Sequence, residues 1–563
     1  MKKNITLLAF ISITSFCVAQ SWNWANRAGN NGPDYITTIT TDNYGNKYAG
    51  LSAYGGLSNS LVTFNSEEYY TNGDWDFFIT KYSNQGDIMW IKQFGGPYEM
   101  GPSHDAWLSD AISCIVFCPV SNSIITFGSF ASYCDFGITT LNAWEYDDQD
   151  IYIAKFDLDG NCLWAKSAGG SGEDRPNTIA IDASGNVYTL SLFPWYGNFG
   201  PIQVENGGHL AKYDPDGNVL WVKKIFTNPG PGANFPLWFG TSNIINGSLY
   251  IAGYNTTSTF TLDTITYSNP GYLGHIVAKF DLEGNIQWLR CIGGPTSDGL
   301  IEQIAEDASG NIYFSSYFMG DYATFDSDTL FSNAEREMFV AKYTPSGEPV
   351  WIRQSHATQS AKGLGGCIGN DGYFYSTGGF KGTMDFGSFQ LNSISNQDIF
   401  IIKMDQEGNF IAGDNTNGGL GTSLLQNADG TINLLGLFYH SATFDETTLI
   451  EQGPGGWGDM FIAQHTPLTV GYTEEIKKDN QNNLLIYANP NEGRCTISIP
   501  EELQNEKALY LLVYGNTGRL IHRETIDMQA ERISINLEEF ATGIYNAVLT
   551  NGKIKYEGKI VFE

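Results

Sequence analysis

The stretch IYIAKFDLDGNCLW, from Ile151 to Trp164, is one copy of a pattern that occurs seven times in this 563-residue chain. Each copy has an apolar strand ending in Lys and usually an aromatic residue, then a polar turn, then in most copies Trp. A period of this length is typical of repeat architectures, in which each repeat is one supersecondary unit. The register residues, 57 to 74 positions apart, are Lys81, Lys155, Lys212, Lys279, Lys342, Lys403 and Gln464.

A second signature precedes the Lys strand in each copy and indicates a hairpin. It reads IDASGNVYTL from Ile181 and EDASGNIYFS from Glu306. Asp, Asn and Gly supply the positive-φ and side-chain-bonded positions that tight hairpins need. Strands such as IYIAKF are apolar on both faces, which favours sheets covered on both sides. The sequence therefore predicts an all-β chain of stacked antiparallel units.

The two ends of the repeat array predict how it closes. The last copy, MFIAQHTPLTV from Met460 to Val470, lacks its final strand, while SWNWANRAG, from Ser21 to Gly29, reads like an extra copy of WAKSAGG. Pairing these two segments would leave no unpaired sheet edge. We therefore expect residues 20–470 to form a seven-bladed β-propeller closed by its N-terminal strand. The alternative is an open array of β-sandwich modules, but such modules have about 100 residues each.

Composition and charge limit the partners of the chain. It has 61 acidic and 30 basic residues, a formal net charge of −31. This charge argues against nucleic acid and anionic lipid as partners, because their phosphates would be repelled. Residues 1–19, MKKNITLLAFISITSFCVA, have the pattern of a signal peptide, and no later segment predicts a membrane span. The chain is expected to be exported.

The cysteines outside the predicted signal peptide show no zinc-binding spacing. Cys114 and Cys118 would lie roughly 13 Å apart along one extended strand, too far for a disulfide. A disulfide between Cys118 and Cys134 across a hairpin is one interpretation, and a set of buried small hydrophobic residues is the favoured one.

A different pattern begins after a polar linker at residues 471–483. Residues 484–563 alternate short strands with turn sequences such as NPNEG and GNTG, which predicts a small β-sandwich. Its ordered motifs open with Asn489, Pro490, Asn491 and Gly493, continue with Gly518, and end with Gly543 and Tyr545.

These motifs resemble the C-terminal sorting domain of the type IX secretion system of Bacteroidota. The resemblance implies export through Sec, passage across the outer membrane by the type IX machinery as partner, and removal of the domain near the linker. The product would be at the cell surface or released. The repeats also resemble SBBP-type β-propeller repeats of secreted bacterial proteins, a resemblance that implies no particular activity.

Insertions in the second to fourth repeats carry the residues expected to bind a ligand. Aromatic side chains on loops, with Asp and Asn nearby, are typical of surfaces that stack on sugar rings. The alternative interpretation is that these rings pack the loops onto the propeller. The candidate ligand-binding residues are Trp107, Trp144, Trp195, Tyr196 and Trp238.

The sequence of the acidic turns has two interpretations, a calcium-binding loop or a hairpin turn. DLDGN, from Asp157 to Asn161, begins like an EF-hand loop, but position twelve is Ala168 where that loop needs Glu. We therefore favour the hairpin turn, assign no metal ligand and no cofactor, and keep calcium as the alternative. The recurrent Lys is expected to have a structural role, because it recurs in six of the seven copies.

Three functions follow as expectations, of which the third is a purely structural role in surface adhesion that needs no pocket. The first is a non-enzymatic binding or adhesion module for a glycan or a protein. The alternative is a secreted, glycosidase-like enzyme with a carboxylate acid and base. Sequence shows no GxSxG or HExxH motif. The test between the first two is whether Asp105, Glu145, Asp147 and Asp148 converge within about 5 to 10 Å.

Overall fold

A computed structural model describes residues 21–468 and 484–562, and every element that it describes is a β-strand. The descriptions leave out 56–59, 74, 97–109, 145–147, 228–234, 269–272, 295–300, 326–327 and 453–456 in the first range. In the second they leave out 485, 488–490, 492, 501–502, 504–508, 515–519, 527–531, 537–539, 541 and 552–554. The chain divides into two compact regions between Val470 and Gly471. In these described ranges no helix is long and apolar enough to cross a membrane.

The N-terminal region repeats one arrangement of four antiparallel strands, here called units 1 to 7 in chain order, with a small hairpin between the second and third strands. Before unit 1 lies β1 (Trp22–Gly29). Unit 1 contains β2 (Asp34–Ile36), β3 (Thr40–Thr41), β4 (Lys47–Tyr54), the hairpin β5 (Leu61–Phe64) and β6 (Glu67–Tyr70), β7 (Trp75–Tyr82) and β8 (Ile88–Phe94). Its sheet has the order β2–β4–β7–β8, with β3 also paired to β4.

Units 2 to 4 follow the same order. Unit 2 contains β9 (Ala111–Cys118), β10 (Ser123–Ala131), the hairpin β11 (Tyr133–Asp135) and β12 (Thr140–Asn142), β13 (Gln149–Phe156) and β14 (Cys162–Gly170). Unit 3 contains β15 (Arg175–Ile181), β16 (Val187–Phe193), the hairpin β17 (Gly197–Phe199) and β18 (Ile202–Val204), β19 (Gly207–Tyr213) and β20 (Val219–Phe226). Unit 4 contains β21 (Leu237–Ile245), β22 (Ser248–Asn255), the hairpin β23 (Thr259–Leu262) and β24 (Ile265–Ser268), β25 (Leu273–Phe280) and β26 (Ile286–Gly294).

Units 5 to 7 complete the region. Unit 5 contains β27 (Ala305–Glu306), β28 (Ile312–Met319), the hairpin β29 (Tyr322–Phe325) and β30 (Asp328–Phe331), β31 (Arg336–Tyr343) and β32 (Pro349–Gln354). Unit 6 contains β33 (Ser360–Ile368), β34 (Phe374–Lys381), the hairpin β35 (Thr383–Asp385) and β36 (Gln390–Asn392), β37 (Asp398–Met404) and β38 (Phe410–Asn417). Unit 7 supplies β39 (Gly419–Gln426), β40 (Ile432–Phe438), the hairpin β41 (Ser441–Phe444) and β42 (Thr447–Ile450), and β43 (Asp459–His465).

The fourth strand of unit 7 is β1. It pairs antiparallel with β43, with Ala25 opposite Ala463 and Ala28 opposite Met460. The segment that reads like an extra copy of the repeat therefore pairs with the truncated last copy. The sheet runs β39–β40–β43–β1 and continues into the hairpin of unit 1, since β5 pairs with β1.

The hairpins of units 1, 3 and 5 each pair with the fourth strand of another unit, whereas the other four hairpins form two-stranded sheets of their own. The hairpin of unit 3 pairs with β14 of unit 2, and that of unit 5 pairs with β26 of unit 4. Buried apolar clusters also combine successive units, as where Phe77 of unit 1 packs with Tyr152 of unit 2. One such cluster joins Leu435 and Met460 of unit 7 to Leu51 and Phe78 of unit 1. Units 7 and 1 thus share the contacts of chain neighbours.

The recurrent Lys and Trp make the same contact to the following unit in several repeats. Lys155 Nζ and Trp164 Nε1 donate to the same carbonyl oxygen, that of Pro215 in the next unit, at 3.0 and 3.2 Å. Lys81 with Trp90, Lys279 with Trp288, and Lys342 with Trp351 do the same to Leu158, Pro345 and Gln406. Gln464 replaces Lys in unit 7, and its Nε2 donates to Asn84 O of unit 1 at 3.4 Å.

The C-terminal region contains two antiparallel sheets with a shared apolar core. One has the order β44–β45–β48 and the other β47–β46–β49–β50. Ile497 and Ile535 of the first sheet belong to one buried cluster with Leu511 and Leu549 of the second. The strands are β44 (Ile486–Tyr487), β45 (Arg494–Ser498), β46 (Leu509–Tyr514), β47 (Leu520–Ile526), β48 (Arg532–Asn536), β49 (Gly543–Thr550) and β50 (Lys555–Phe562).

Cys114, Cys118 and Cys134 are buried and form no disulfide in the described chain. Burial raises the pKa of the Cys114 thiol to about 12, so it stays protonated. Cys118 and Cys134 therefore pack as small hydrophobic residues.

Candidate functional site

In three of the seven units, an Asp at the start of the third strand, as its first or second residue, faces a glycine at the end of the fourth strand or just beyond it. Asp150 of β13 lies against Gly169 of β14, and a Cβ at that glycine would collide with the carboxylate. Asp76 lies against Gly95, and Asp459 against Gly29, in the same way. Since no side chain fits between the strands there, the glycine is what lets each carboxylate reach the fourth strand.

A second carboxylate approaches each glycine from the start of the next unit. Asp174 Oδ2 accepts a hydrogen bond from the amide of Gly170, the residue after Gly169, at 2.7 Å. The corresponding bonds join Gly96 N to Asp110 Oδ2 at 2.8 Å and Asn30 N to Asp34 Oδ2 at 2.9 Å. These contacts define three carboxylate pairs at successive junctions: Asp459–Asp34, Asp76–Asp110 and Asp150–Asp174.

The first pair has a cation supplied by the chain. Arg27, two residues before Gly29, places Nη1 2.7 Å from Asp459 Oδ2, and both side chains are buried or nearly so. The Arg27 charge opposes the effect of burial, which still raises the pKa of Asp34 and of Asp459. At the same position before Gly95 stands Gln93, whose Nε2 donates to Asp76 Oδ2 at 2.5 Å. Before Gly169 stands Ser167, which is exposed.

The third pair has no such partner. Asp150 Oδ2 accepts the amide hydrogen of Trp144 at 2.9 Å, but Oδ1 of Asp150 and Oδ1 of Asp174 are buried and accept no hydrogen bond from the described residues. Asp148 lies close by, with Oδ2 bonded to Gly172 N at 3.0 Å. Burial, together with the Asp148 charge, raises the pKa of Asp150 to about 7. Burial and the Asp150 and Asp148 charges hold the pKa of Asp174 well above its ordinary value.

Exposed aromatic rings surround this pair. Trp144, Trp195 and Tyr196 have exposed fractions of 61%, 45% and 65%. Trp144 is bonded through its amide to Asp150, and Trp195 covers Gly172, where a Cβ would lie 2.8 Å from the ring. The carbonyl of Tyr196 approaches Gly170. Two loops, one in unit 2 and one in unit 3, therefore carry three exposed aromatic residues beside one junction, here called the aromatic rim.

Trp238 and Trp107 do not belong to the aromatic rim. Trp238 is half-buried, packs in edge contact with Phe235 at 6.0 Å and carries the Arg175 guanidinium on its face at 5.1 Å. It therefore contributes to loop packing as well as to the surface beside unit 3. Trp107 lies outside the described residues.

Of the four carboxylates considered for catalysis, Asp148 alone belongs to the described residues. Asp105, Glu145 and Asp147 lie outside the described residues. Asp148 is buried, and its oxygens accept hydrogen bonds from the amides of Gln149 and Gly172. Within the described ranges, no three His, Cys, Asp or Glu side chains are grouped closely enough to form a metal site of that kind.

The Asp carboxylates of the acidic turns accept hydrogen bonds from residues of the same turn. Asp157 Oδ1 accepts the amide hydrogens of Asp159 and Asn161 at 3.0 and 2.8 Å, and Gly160 has a φ of 78°. Burial alone would raise the pKa of Asp157, but the side-chain and amide hydrogen bonds from Asn161 outweigh it and lower the pKa. These are the contacts of the hairpin-turn interpretation.

The carboxylate pairs were missed by sequence reasoning. Their signal was present: an Asp five residues before the register Lys or Gln, a Gly five residues after the Trp of the fourth strand, and a second Asp five or, in one case, 15 residues beyond that Gly. Asp150, Lys155, Gly169 and Asp174 have this spacing. Only the pairing of strands shows that the two Asp residues meet at one glycine.

Residues of the sorting-domain motif fasten the last strand. Asn491 donates from both its amide and its Nδ2 to Val561 O, at 2.9 and 3.0 Å, and Asn491 Oδ1 accepts from Gly493 N at 2.9 Å. Gly493 has a φ of 97°, which favours glycine. Gly543 begins β49 and Tyr545 of that strand is buried. Asn489, Pro490 and Gly518 lie outside the described residues.

Comparisons with known proteins assign the C-terminal region. Residues 485–563 match the family model described as a secretion system C-terminal sorting domain. This match supports export to the cell surface or the extracellular space and engagement with the type IX secretion machinery.

Distant relatives align with larger parts of the chain. An uncharacterized WD repeat-containing protein of Acanthamoeba polyphaga mimivirus is 23% identical over 395 residues, which are 66% of this chain and 26% of that protein. The chain thus spans about a quarter of that relative's length. An apocarotenoid oxygenase of Synechocystis aligns with 80% of this chain and 95% of its own at 11% identity, with a TM-score of 0.35. A GH43 endo-arabinanase from Bacillus licheniformis aligns with 51% and 92% at 12% identity, with a TM-score of 0.23. Likenesses at these scores assign no function.

Proposed function

We propose that this protein is an exported β-propeller that binds a glycan through the aromatic rim around the Asp150–Asp174 junction, and that its C-terminal domain directs its secretion. The observation that carries the proposal is the rim itself: Trp144, Trp195 and Tyr196 are exposed, and the amide of Trp144, the ring of Trp195 and the carbonyl of Tyr196 each lie beside the same junction. Aromatic faces held on a rigid scaffold can stack on sugar rings with little loss of side-chain entropy.

The propeller assignment is part of the proposal. Seven units would form a closed ring if the contacts between units 7 and 1 repeat those between chain neighbours. The pairing of β1 with β43, that of β5 with β1 and the bond from Gln464 to Asn84 support this ring. A closed ring would leave no exposed sheet edge. The domain limits that go with it are a signal peptide at 1–19 for Sec export, the propeller at 20–470, a linker at 471–483 and the sorting domain at 484–563.

A binding role is favoured over a glycosidase-like enzyme because of where the carboxylates lie. Asp150 and Asp174 are buried, with accessible fractions of 4% and 0%, and one oxygen of each is bonded to a backbone amide. A glycosidase needs an acid and a base that both reach the sugar. The aromatic rim, by contrast, is accessible.

The test uses the mature chain from Gln20, with its sorting domain, on a glycan and polysaccharide array, followed by product analysis of each hit. Saturable binding without new reducing ends is the expected result. New reducing ends would establish the enzyme instead. Absence of any glycan binding would contradict the proposal and leave a protein as ligand.

A further inference from the structure

The three carboxylate pairs can be compared with one another, because the same hydrogen bonds from backbone amides hold each of them. In every pair, one Oδ2 accepts the amide hydrogen of the residue after the glycine, and the other Oδ2 accepts an amide hydrogen from the loop before the Lys strand. What differs is the residue two positions before the glycine. It is Arg27 in the first pair, Gln93 in the second and Ser167 in the third.

The third pair is the least compensated of the three. Arg27 gives the first pair a buried cation at 2.7 Å. In the second pair both oxygens of Asp110 accept amide hydrogens, from Gly96 and Ala131. Each pair contains a buried Oδ1 atom without a hydrogen-bond donor among the described residues: those of Asp34 and Asp459 in the first, that of Asp76 in the second, and those of Asp150 and Asp174 in the third. What sets the third pair apart is that it has two such atoms and, within the described structure, neither the cation of the first pair nor the side-chain donor of the second.

Among the described residues, no basic side chain contacts the third pair. The charges that act on Asp150 and Asp174 in the described structure are those of other carboxylates, with Asp148 nearest in sequence. Arg175 follows Asp174, but its guanidinium contacts Glu173 and the Trp238 ring. Residues 145–147, which lie outside the description, are Glu, Tyr and Asp and add no positive charge. Unpaired buried carboxylates are costly unless they are protonated or hold a metal ion.

We propose that Asp150 and Asp174 bind a calcium ion at the junction of units 2 and 3, in the role that the Arg27 guanidinium has at the junction of units 7 and 1. Calcium takes oxygen ligands, including carboxylates, backbone carbonyls and water, in flexible geometry. Two buried carboxylate oxygens without donors supply the charge, and the exposed Ser167 position leaves room for entry where the first pair has arginine. Export to the cell surface would place the site where calcium is abundant.

The experiment uses the mature full chain after treatment with a chelator. Calcium chloride is titrated by calorimetry, and thermal unfolding is compared in calcium and in EDTA. We expect saturable binding with a Kd of about 10⁻⁴ to 10⁻³ M, the range of extracellular calcium modules, and a higher Tm in calcium. The Asp150→Asn variant should bind at least about tenfold more weakly.

Two further variants separate a metal site from a folding defect. Ser167→Arg restores the cation of the first pair, so it should remove the calcium-dependent rise in Tm while its Tm in EDTA is equal to or above that of the wild type. Asp398→Asn is the matched control: Asp398 has the same register position in unit 6, but its oxygens accept hydrogen bonds from Ile394 N and from the Ser395 amide and hydroxyl. It should keep wild-type calcium binding.

The proposal is overturned if the wild type shows no saturable calcium binding and the same Tm in calcium and EDTA. It is equally overturned if Asp150→Asn and Ser167→Arg both bind as many calcium ions as the wild type, which would place the metal elsewhere. Because the titration contains no glycan, its failure leaves the glycan proposal standing.

Discussion

Arg27 Nη1 lies 2.7 Å from Asp459 Oδ2, so the strand that begins the described chain contributes the cation for a carboxylate near the end of the last repeat. The ion pair crosses the same strand pair that Ala25 and Ala463 form. It joins segments more than 400 residues apart in sequence. The contact therefore belongs both to the pairing of β1 with β43 and to the chemistry of the junctions.

Cysteines introduced at Ala25 and Ala463 should form a disulfide on oxidation, because these residues are directly opposite on β1 and β43. A bond that closes so long a loop should stabilise the fold by about 2 to 4 kcal/mol. Peptide mapping under non-reducing conditions detects the disulfide, and thermal unfolding measures the change in stability. The control places the second cysteine at Ala53 on β4, which is not opposite Ala25. Failure of the first pair to cross-link would contradict the strand pairing.

Gly169→Ala should destabilise the N-terminal region by about 1 to 3 kcal/mol, because the added methyl would collide with the Asp150 carboxylate. Denaturant unfolding of the full chain measures the change. Gly543→Ala is the comparison, since it is a strand glycine with nothing within 4 Å of the added Cβ. Equal stability of the Gly169 variant and the wild type would show that the carboxylate does not occupy this position.

The stability of the calcium-free protein should rise as the pH falls from about 7 to about 5. Burial raises the pKa of Asp150 to about 7 and that of Asp174 well above its ordinary value, so the folded state binds more protons than the unfolded state in this window. The stabilisation is present at low pH and is lost as the pH rises through the folded pKa values. Asp150→Asn should flatten the Tm-against-pH profile. A wild-type Tm that falls across the same window would contradict the assignment.

A separate loss should appear at lower pH. The pKa values of Asp157, Asp214 and Asp281 lie below their ordinary range because hydrogen bonds within the turns outweigh burial. Their contribution is present above the unfolded pKa near 4 and is lost as the pH falls through the folded values. The Tm should therefore pass through a maximum on acidification.

Asn491→Ala should weaken the C-terminal region by about 1 to 2 kcal/mol, since the side chain bonds both Val561 O and Gly493 N. Secretion in a host with the type IX machinery should fall with it, measured as the fraction of the protein outside the cell. Ser498→Ala, on β45 of the same region, is the control for general destabilisation. Normal secretion together with normal stability of the Asn491 variant would contradict a role for this motif residue.

Much of the strand arrangement could be predicted from the sequence because the repeat marks each unit twice, with a turn of Asp or Asn and Gly and with the Lys and Trp strands. The pairing of Trp22 to Gly29 with the last Lys strand followed from one missing and one extra strand. The role of Lys155 could be expected to be structural, but its acceptor, Pro215 O, could not, because that contact lies between units.

The site was less predictable for the same reason. The loop aromatics Trp144, Trp195 and Tyr196 could be selected from composition, yet sequence could not place them around one junction. Asp150 and Asp174 were passed over because single Asp residues in strands and loops are common. Their buried oxygens can be recognised as a pair only in the folded structure, where both approach the glycines at the junction of units 2 and 3.

The measurement that tests the central proposal most directly is affinity electrophoresis of the mature chain in gels containing xylan, mannan, pectin or mixed β-glucan. The Trp195→Ala and Tyr196→Ala variants are compared with Trp457→Ala, an equally exposed tryptophan in unit 7. We expect at least one polysaccharide to retard the wild type and the Trp457 variant. The two rim variants should be retarded less, because each loses a stacking interaction of about 1 to 3 kcal/mol. Undiminished retardation of the rim variants, or no retardation of the wild type in any gel, would contradict the proposal.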